Sequence, residues 1–333
     1  MFFSFVIPVY NRPDEVSELL DSLAKVTLKE PFEVVIVEDG STVDCRAVVD
    51  RFREKLRVSY YFKPNTGPGD SRNYGMRKAQ GDYFLLVDSD CIVPPHYLTT
   101  VAQALEHQYV DCFGGPDGAL ADFSPVQKAI NFAMTSPLTT GGVRGGGERA
   151  GKFQPRSFNM GISRKAFEAS GGFTDIHPGE DPDLSIRLWK AGFDTRLIKG
   201  AYVFHKRRIS WSKFYIQVNK FGKVRPILDR WHPRYAKITY WFPSLFMLGL
   251  LVSLVVALAG VPYLLLLYAT YCFALLVSAI RETRSIKLAS LAVVAALIQF
   301  AGYGAGFLLS FLQVRLLRKD PRKVFPELFF GRR

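Results

Sequence analysis

The chain has 333 residues, enough for about two domains at ~100–200 residues each. Its hydrophobic content of 48% is ordinary, but residues 238–280 and 288–314 contain no charged side chain. A membrane-spanning helix needs ~20 apolar residues, so the first stretch is long enough for two helices and the second for one. A soluble helical hairpin is disfavoured, because a core helix of a soluble protein rarely lacks a charged face over such a length.

The net charge of +13 is unevenly distributed along the chain. Residues 196–333 contain 22 Lys and Arg against 4 Asp and Glu, whereas residues 1–195 carry an acidic excess. The cations flank the apolar stretches, as expected at the cytoplasmic borders of membrane helices. Because no nucleic-acid-binding motif accompanies them, we expect a membrane and no nucleic acid as the partner.

The N-terminus and the cysteines both favour a cytoplasmic N-terminal domain. The first nine residues lack the positive region of a signal peptide, so we expect this part to stay where it is made. The four cysteines have neither disulfide-like nor metal-ligand spacing and are expected to be reduced thiols. These features predict an inner (cytoplasmic) membrane protein with its N-terminal domain in the cytoplasm.

Short apolar runs alternate with helical patterns in the first 90 residues. We predict strands at residues 2–8, 32–37, 58–62 and 82–87. A helix follows the first strand, and Ser41 is expected to cap another that reaches about residue 52. Such alternation is typical of an α/β fold with a mostly parallel sheet, in which ligands lie at the carboxyl ends of the strands.

The middle of the chain contains two further helical patterns and a glycine-rich segment. Ser124 and Pro125 predict a helix to about residue 134, and residues 182–191 predict another, followed by Gly192. Residues 141–151 contain six glycines and are a candidate lid. Residues 209–231 mix aromatic and basic side chains, which predicts one or two interfacial helices. The alternative for them is an amphipathic helix packed on the domain.

We place membrane helices at about 238–259, 262–280 and 288–314, followed by a basic tail at 315–333. Two crossings return the chain to its starting side, and a third would put the basic tail outside, against the charge rule. We therefore favour a cytoplasmic tail, and Gly302, Gly304 and Gly306 could let the third segment bend and re-enter. The same glycines could instead pack one straight helix against its neighbours.

Two acidic clusters follow predicted strands. Asp88 and Asp90 flank Ser89 just after residues 82–87, and paired carboxylates there suit Mg²⁺ or Mn²⁺ carrying a diphosphate. Glu38 and Asp39 follow the second strand, where an acid can accept hydrogen bonds from a base or a ribose. Read alone, a motif such as Asp88-Ser89-Asp90 is more often a solvated turn, but its position after a buried strand favours a ligand site. The alternative for Glu38 and Asp39 is a strand-to-helix turn with Ser41 as its cap.

Two more polar clusters precede predicted helices. In residues 65–73, two glycines allow close approach of the backbone to a ligand, and Arg72 could pair with carboxylates or phosphate oxygens. A surface loop that caps a helix is the alternative. Glu180, Asp181 and Asp183 lie at the mouth of a helix and exceed what capping needs. One of them is expected to act as a general base toward an acceptor hydroxyl.

Several motifs in this order resemble family-2 glycosyltransferases of the GT-A fold. They are FVIPVYN, VVIVEDGS, NTGPGDSRNYG, DYFLLVDSD, FNMGISRKAF and GGF…GEDPDLSIRLWKAG, within residues 3–205. The resemblance implies an inverting transferase that uses a nucleotide-diphosphate sugar, commonly UDP-linked. The expected organisation is a GT-A domain at 1–205, a basic interfacial segment at 206–237, and the apolar helices and tail.

The resemblance also assigns individual residues. It places Pro8, Tyr10, Asn11, Glu38, Asp39, Arg72, Asp88, Ser89, Asn159 and Gly161 around the nucleotide-sugar, with Asn159 and Gly161 lining the donor-sugar and acceptor pocket. Asp90 would be the main metal ligand, supported by Asp88 and His205. Asp181 would be the catalytic base, with Glu180 as its acidic neighbour.

The expected reaction is sugar transfer to a hydroxyl of a membrane- or lipid-linked saccharide in cell-surface glycan assembly. The alternative is a polyprenyl-phosphate glycosyl synthase, but a phosphate acceptor is already ionised and needs no base. The QxxRW signature of processive synthases is absent, and Arg208 and Trp211 match it only in part. A non-enzymatic scaffold is disfavoured by the intact carboxylates.

Overall fold

A computed structural model describes residues 1–27, 31–118, 123–140, 153–205 and 210–330. The chain forms two compact units. Among the described residues, the first unit comprises 1–27, 31–118, 153–205 and 329–330, and the second comprises 123–140 and 210–328. The glycine-rich candidate lid at 141–151 lies outside the described residues.

The strands all belong to the first unit. They are β1 (Phe3–Val9), β2 (Phe32–Asp39), β3 (Val58–Lys63), β4 (Tyr83–Val87), β5 (Cys91–Ile92), β6 (Cys112–Gly114), β7 (Asp117–Gly118), β8 (Asn159–Ser163), β9 (Thr195–Leu197) and β10 (Val203–His205). The helices are α1 (Pro13–Leu23), α2 (Arg46–Asp50), α3 (Pro68–Lys78), α4 (Tyr97–His107), α5 (Pro125–Thr135), α6 (Pro137–Thr140), α7 (Arg164–Ser170), α8 (Glu180–Lys190), α9 (Trp211–Trp231), α10 (Phe242–Leu258), α11 (Tyr263–Thr283), α12 (Ile286–Ser310) and α13 (Pro321–Val324).

The main sheet has the order β3-β2-β1-β4-β8-β6-β9. Strands β1 to β4 are parallel, β8 runs antiparallel between β4 and β6, and β9 is parallel to β6. Apolar residues of β1, β2 and β4 are buried on both faces, because apolar clusters cover each face of the sheet. The predicted α/β fold with a mostly parallel sheet is confirmed.

Strand pairing brings the polar clusters to one edge of the sheet. In the parallel pair β1–β2, Val9 lies opposite Glu38, so the chain leaves both strands at the same level. A small second sheet has the order β5-β10-β7, in which His205 pairs with Cys91 and Val203 pairs with Asp117. This sheet places the turn after β4 next to the end of β10.

The prediction that Ser41 caps the second helix is wrong. The helix is α2, which begins at Arg46 after Cys45. The Ser41 hydroxyl instead donates to Glu38 and accepts from the backbone N–H of Asn11 at 2.7 Å, so it is not available as a cap. The later helix α8 begins at Glu180, two residues before its predicted start, and Gly192 follows it at φ +85°.

The second unit is helical in its described residues. The predicted helix start at Ser124 and Pro125 is confirmed, and Ser124 and Gln127 form a capping box in which each side chain bonds to the other's backbone. The segment that is predicted to be interfacial contains one long helix, α9. Side chains of α5 and α9 pack with α11 and α12 in one apolar cluster that includes Ala129, Ala133, Phe214, Val218, Leu275, Ala279, Ala289, Ala292, Ala295 and Ala296.

Three helices in the described residues are long and apolar enough to cross a membrane: Ile238–Leu258, Tyr263–Thr283 and Ile286–Leu316. The third is continuous, so of the two alternatives for the glycines the structure has the straight helix and not the bend. A Cβ at Gly302 would lie 2.6 Å from Val218, one at Gly304 would lie 3.1 Å from a Pro243 oxygen, and one at Gly306 would overlap the backbone of α9. The glycines therefore permit close helix packing.

Candidate active site

Asn11 and Glu38 organise the loop after β2. The Oδ1 atom of Asn11 accepts hydrogen bonds from the backbone N–H groups of Thr42 at 2.8 Å and Val43 at 3.0 Å. Glu38 is fully buried, and its Oε2 accepts from the N–H of Cys45 at 2.9 Å. Both residues thus hold residues 41–45 in place at the edge where the base is predicted to bind.

Asp39 joins the end of β2 to the loop before α3. Its Oδ1 accepts from Lys63 Nζ at 2.5 Å and from the N–H of Thr66 at 3.0 Å, and its Oδ2 accepts from the N–H of Gly67 at 2.9 Å. Gly67 has φ +93°, a conformation that favours glycine. The predicted nucleotide loops are therefore linked through a single buried carboxylate. Tyr10, which is also predicted to lie beside the nucleotide, has an exposed side chain.

Arg72 connects the DxD turn with the acidic mouth of α8. It is buried, its Nη2 donates to Asp88 Oδ1 at 2.6 Å, and its Nη1 lies 3.9 Å from Glu180 Oε1. The Phe173 ring lies 5.6 Å from the guanidinium carbon. Within the described part of the chain, its Nε and Nη1 make no hydrogen bond. The structure therefore brings together three residues that the sequence placed in separate motifs.

Asp90 and His205 also meet, with 3.0 Å between Oδ1 and Nε2. The other oxygen of Asp90 accepts from Arg12. Burial opposes ionisation of Asp90, but His205 and Arg12 outweigh it and lower the pKa of this carboxyl to about 2. Burial likewise opposes protonation of His205, and Asp90 raises the pKa of the imidazole. The sequence analysis did not identify Arg12, and the only feature that could have indicated it is its basic side chain just after β1.

The ligand atoms of Asp90, Cys91 and His205 lie within 4.8 Å of one another. A carboxylate and an imidazole suit Mn²⁺, and additional oxygen ligands would suit Mg²⁺. Burial, followed by nearby carboxylates, raises the pKa of Cys91 well above its usual value, so the thiol stays protonated and is a poor ligand. The donor set of Asp90 and His205 fits the predicted metal, whereas Asp88 is bound to Arg72.

The two acids at the start of α8 have different environments. Burial opposes ionisation of Glu180, but His177, whose Nδ1 lies 2.7 Å from its Oε1, and Arg72 lower the pKa of this carboxyl. Burial and the charge of Glu180 raise the pKa of Asp181 to about 6. Its Oδ1 is buried and accepts no hydrogen bond from the described residues. A carboxylate of this kind is poised to accept a proton. His177 gave no sequence signal.

Asn159 and Gly161 occupy the core of β8. The Asn159 amide accepts from the Tyr97 hydroxyl at 2.7 Å and donates to the Ala201 carbonyl at 2.8 Å, and the residue is fully buried. A Cβ at Gly161 would overlap the Phe113 ring. Both positions thus have a packing role, and their contact with the donor sugar stays a prediction, as it does for buried Ser89 and for Pro8.

The architecture is that of a GT-A glycosyltransferase. It is shared by the mannosyltransferase PcManGT from Pyrobaculum calidifontis, solved in complex with GDP-Man and Mn²⁺, at a TM-score of 0.57 and 17% identity over 96% of this chain and 88% of that chain. Residues 1–349 of TarS from Staphylococcus aureus, solved with UDP-GlcNAc, match at a TM-score of 0.50 and 19% identity over 94% of this chain and 92% of that chain.

The chain belongs to glycosyl transferase family 2, whose sequence profile matches residues 4–170. The poly(ribitol-phosphate) beta-N-acetylglucosaminyltransferase TarS of Staphylococcus aureus is 38% identical over 114 residues, which cover 33% of this chain and 20% of TarS. The chain thus matches about a fifth of the length of this relative. The predicted family and fold are confirmed.

Proposed function

We propose that the protein transfers a sugar from a UDP-linked donor to a hydroxyl of a membrane- or lipid-linked saccharide, with inversion at the anomeric carbon. The observation that carries this proposal is the acidic pair of α8. Glu180 is held ionised by His177 and Arg72, while Asp181 has a pKa raised to about 6. A base of this strength is useful for a hydroxyl acceptor near neutral pH.

The donor is expected to bind across the strand ends. Loops held by Asn11, Glu38 and Asp39 would receive the base and ribose, and Tyr10 offers an exposed ring beside them. Arg72, whose Nε and Nη1 make no hydrogen bond to the described residues, would bind the diphosphate. The choice of UDP is supported by the related TarS, whose structure was solved with UDP-GlcNAc.

Asp90 and His205 would hold a Mg²⁺ or Mn²⁺ ion. When bound, the metal supplies positive charge where the departing diphosphate gains negative charge. Arg12 and His205 lower the pKa of the Asp90 carboxyl to about 2, which favours the carboxylate form that binds a cation, and a bound metal would take the place of one of these contacts. The PcManGT structure contains Mn²⁺, which supports the same cofactor class here.

In the proposed step, Asp181 accepts the proton of the acceptor hydroxyl as that oxygen attacks the anomeric carbon. The bond to the diphosphate breaks in the same displacement, so the sugar inverts. Glu180 stays ionised beside Asp181, and its negative charge keeps the proton affinity of Asp181 high. A lipid phosphate acceptor would need no such base, and this difference favours a hydroxyl over the polyprenyl-phosphate alternative.

The acceptor is proposed to be a membrane-bound glycan on the cytoplasmic side. Three apolar helices and the basic residues that flank them support attachment to an anionic inner leaflet. The relative TarS acts on poly(ribitol-phosphate), a polymer rich in hydroxyl groups, which supports a saccharide or polyol acceptor in cell-surface glycan assembly.

The test uses the purified full chain in vesicles, labelled nucleotide-sugars and a membrane lipid extract. We expect metal-dependent transfer from a UDP-sugar to a lipid-soluble saccharide, with inverted configuration by NMR. A product in which the sugar is linked to a lipid phosphate, recognised by cleavage in mild acid, would establish the alternative. Absence of turnover with every nucleotide-sugar would overturn the proposal.

A further inference from the structure

The end of the described chain is part of the first unit. Phe329 forms an antiparallel bridge with Ile176, and the backbone N–H of Phe330 donates to the Asp175 carbonyl at 2.8 Å. The Phe330 ring occupies the space where a side chain at Gly67 would lie. Residues 329–330 are therefore docked on the α/β domain through backbone bonds and ring packing.

This docking limits how often the chain crosses a membrane. The chain leaves the first unit after β10 and rejoins it at Phe329. Both ends of residues 210–328 must then lie on the side of the membrane where the first unit lies. A segment that begins and ends on one side crosses an even number of times, so the three long apolar helices cannot all cross.

The segment before Phe329 cannot pass back through the hydrocarbon. Residues 317–328 contain six charged side chains, namely Arg318, Lys319, Asp320, Arg322, Lys323 and Glu327. They lie on a short helix, α13, and a turn, which leave backbone polar groups unpaired in an apolar medium. Charged side chains within a membrane are costly, so this segment stays on the side of the first unit.

The burial of the three helices identifies the one that does not cross. In the most apolar 18-residue stretch of each helix, 50% of the residues of the third helix are buried, against 17% for the first helix and 11% for the second. Much of this burial comes from α9. Asn219 Nδ2 donates to the Gly302 carbonyl at 3.0 Å, and Arg230 donates to the Lys319 carbonyl at 2.9 Å. The two helices therefore lie side by side along the C-terminal part of α12 and the residues that follow it, where Cβ atoms at Gly302 and Gly306 would meet Val218 and Asn219.

The charges of α9 make insertion of α12 unfavourable. Between the two contacts described above, α9 carries Lys220, Lys223, Arg225 and Asp229. If α12 crossed the hydrocarbon, these groups would be carried to membrane depth beside it. In the interface, the same cations meet water and anionic headgroups.

Helices α10 and α11 form a hairpin, and α12 contacts this hairpin near the start of α10. The hairpin is joined by the Tyr268 hydroxyl, which donates to the Phe246 carbonyl at 3.3 Å. Phe300 of α12 packs on Phe246 with 4.9 Å between ring centroids, and further along α12 Phe307 packs on Trp241, also at 4.9 Å. The later residue of α12, Phe307, thus contacts an earlier residue of the hairpin than Phe300 does. The C-terminal part of α12 therefore runs away from the turn of the hairpin.

We propose that α10 and α11 alone cross the membrane and that α12 lies with α9 in the interface, on the side of the first unit. The hairpin exposes many large apolar side chains to the lipid, including Leu248, Leu251, Val252, Leu254, Val255, Leu258, Leu266, Leu267 and Phe273. On α12, Val294 and Leu309 are exposed and would face the acyl chains at shallow depth.

The crossing count is tested with single cysteines in the full chain, in sealed vesicles of both orientations, using an impermeant maleimide. The parent, in which Cys45, Cys91 and Cys112 are buried and Cys272 is partly buried within α11, sets the background to which each single cysteine is added. Glu54→Cys marks the first unit, Val261→Cys the hairpin turn, and Glu282→Cys and Lys323→Cys the two ends of the third helix.

We expect three of these cysteines to react from the first-unit side and Val261→Cys to react from the opposite side. Reaction of Lys323→Cys from the side of Val261→Cys would establish three crossings and overturn the proposal. Reaction of Val261→Cys from the first-unit side, or from neither side, would overturn the crossing hairpin. Nitroxides at Leu251 and Leu309 then measure depth by relaxation. Leu309 should be several-fold more accessible to a water-soluble relaxer, and equal values would overturn the interfacial position of α12.

Discussion

Replacement of Asp181 by Asn tests the proposed base with little change in shape. With a pKa of about 6, roughly a tenth of Asp181 is ionised at pH 5 and more than nine tenths at pH 7.5. Activity of the parent should therefore rise through pH 6 and level above pH 7. Removal of a general base typically lowers the rate by ~10²–10⁴-fold. We expect a loss of this size in Asp181→Asn at pH 7.5, and no rise of the residual activity through pH 6.

The same substitution distinguishes catalysis from folding. Because the folded-state pKa of Asp181 is raised, its ionisation opposes folding at pH values above its ordinary pKa. The neutral amide removes this penalty, so the Tm of the variant at pH 7.5 should equal or exceed that of the parent. Asp194→Asn, at an exposed position of the same unit, is the matched control and should behave as the parent.

The assay measures release of nucleoside diphosphate and labelled product from pH 5 to pH 9, with donor affinity measured separately. Donor affinity should change less than a few-fold, since the substitution removes a proton acceptor and no proposed donor contact. Transfer to a hydroxyl acceptor within a few-fold of the parent, with the rise near pH 6 retained, would refute the reasoning. Glu180 would then be examined as the base.

Three further substitutions test other parts of the site. Asp90→Asn removes the anionic ligand and should lower activity by orders of magnitude while the protein stays folded. A chelator should have the same effect on the parent. Unaffected turnover in both experiments would exclude the metal. Arg72→Met leaves buried Glu180 and half-buried Asp88 without this cation and should lower stability by about 3–5 kcal/mol in thermal unfolding, whereas Arg77→Met, at an exposed position, should have little effect. Gly161→Ala should cost at least about 1–3 kcal/mol, since its methyl group would overlap the Phe113 ring, and an unchanged Tm would contradict this packing.

The sequence alone predicted the elements that depend on local pattern. Short apolar runs bounded by glycine or proline identified the parallel strands, because strands buried on both faces must be apolar throughout. Long uncharged stretches identified the apolar helices for a similar reason. The order of polar motifs after the strands predicted the family and the meeting of Asp90 with His205, which the structure shows at 3.0 Å.

The tertiary structure decided which groups each polar side chain contacts. Glu38 and Asn159 matched binding motifs, yet both are buried and bonded within the protein. Arg12 and His177 matched no motif, yet they neutralise Asp90 and Glu180. A partner distant in the sequence leaves no local pattern, so spacing along the chain cannot show whether an acid meets a cation or a ligand.

The apolar part of the chain shows the same division. Its composition was sufficient to identify three helices long enough to cross a membrane. Whether each helix crosses depends on what covers it and on where the residues that follow the helices are docked. Those facts come from the packing of α9 on α12 and from the docking of Phe329 on Ile176. Hydrophobicity is a property of each segment, whereas burial is set by contacts between segments that are far apart in the sequence.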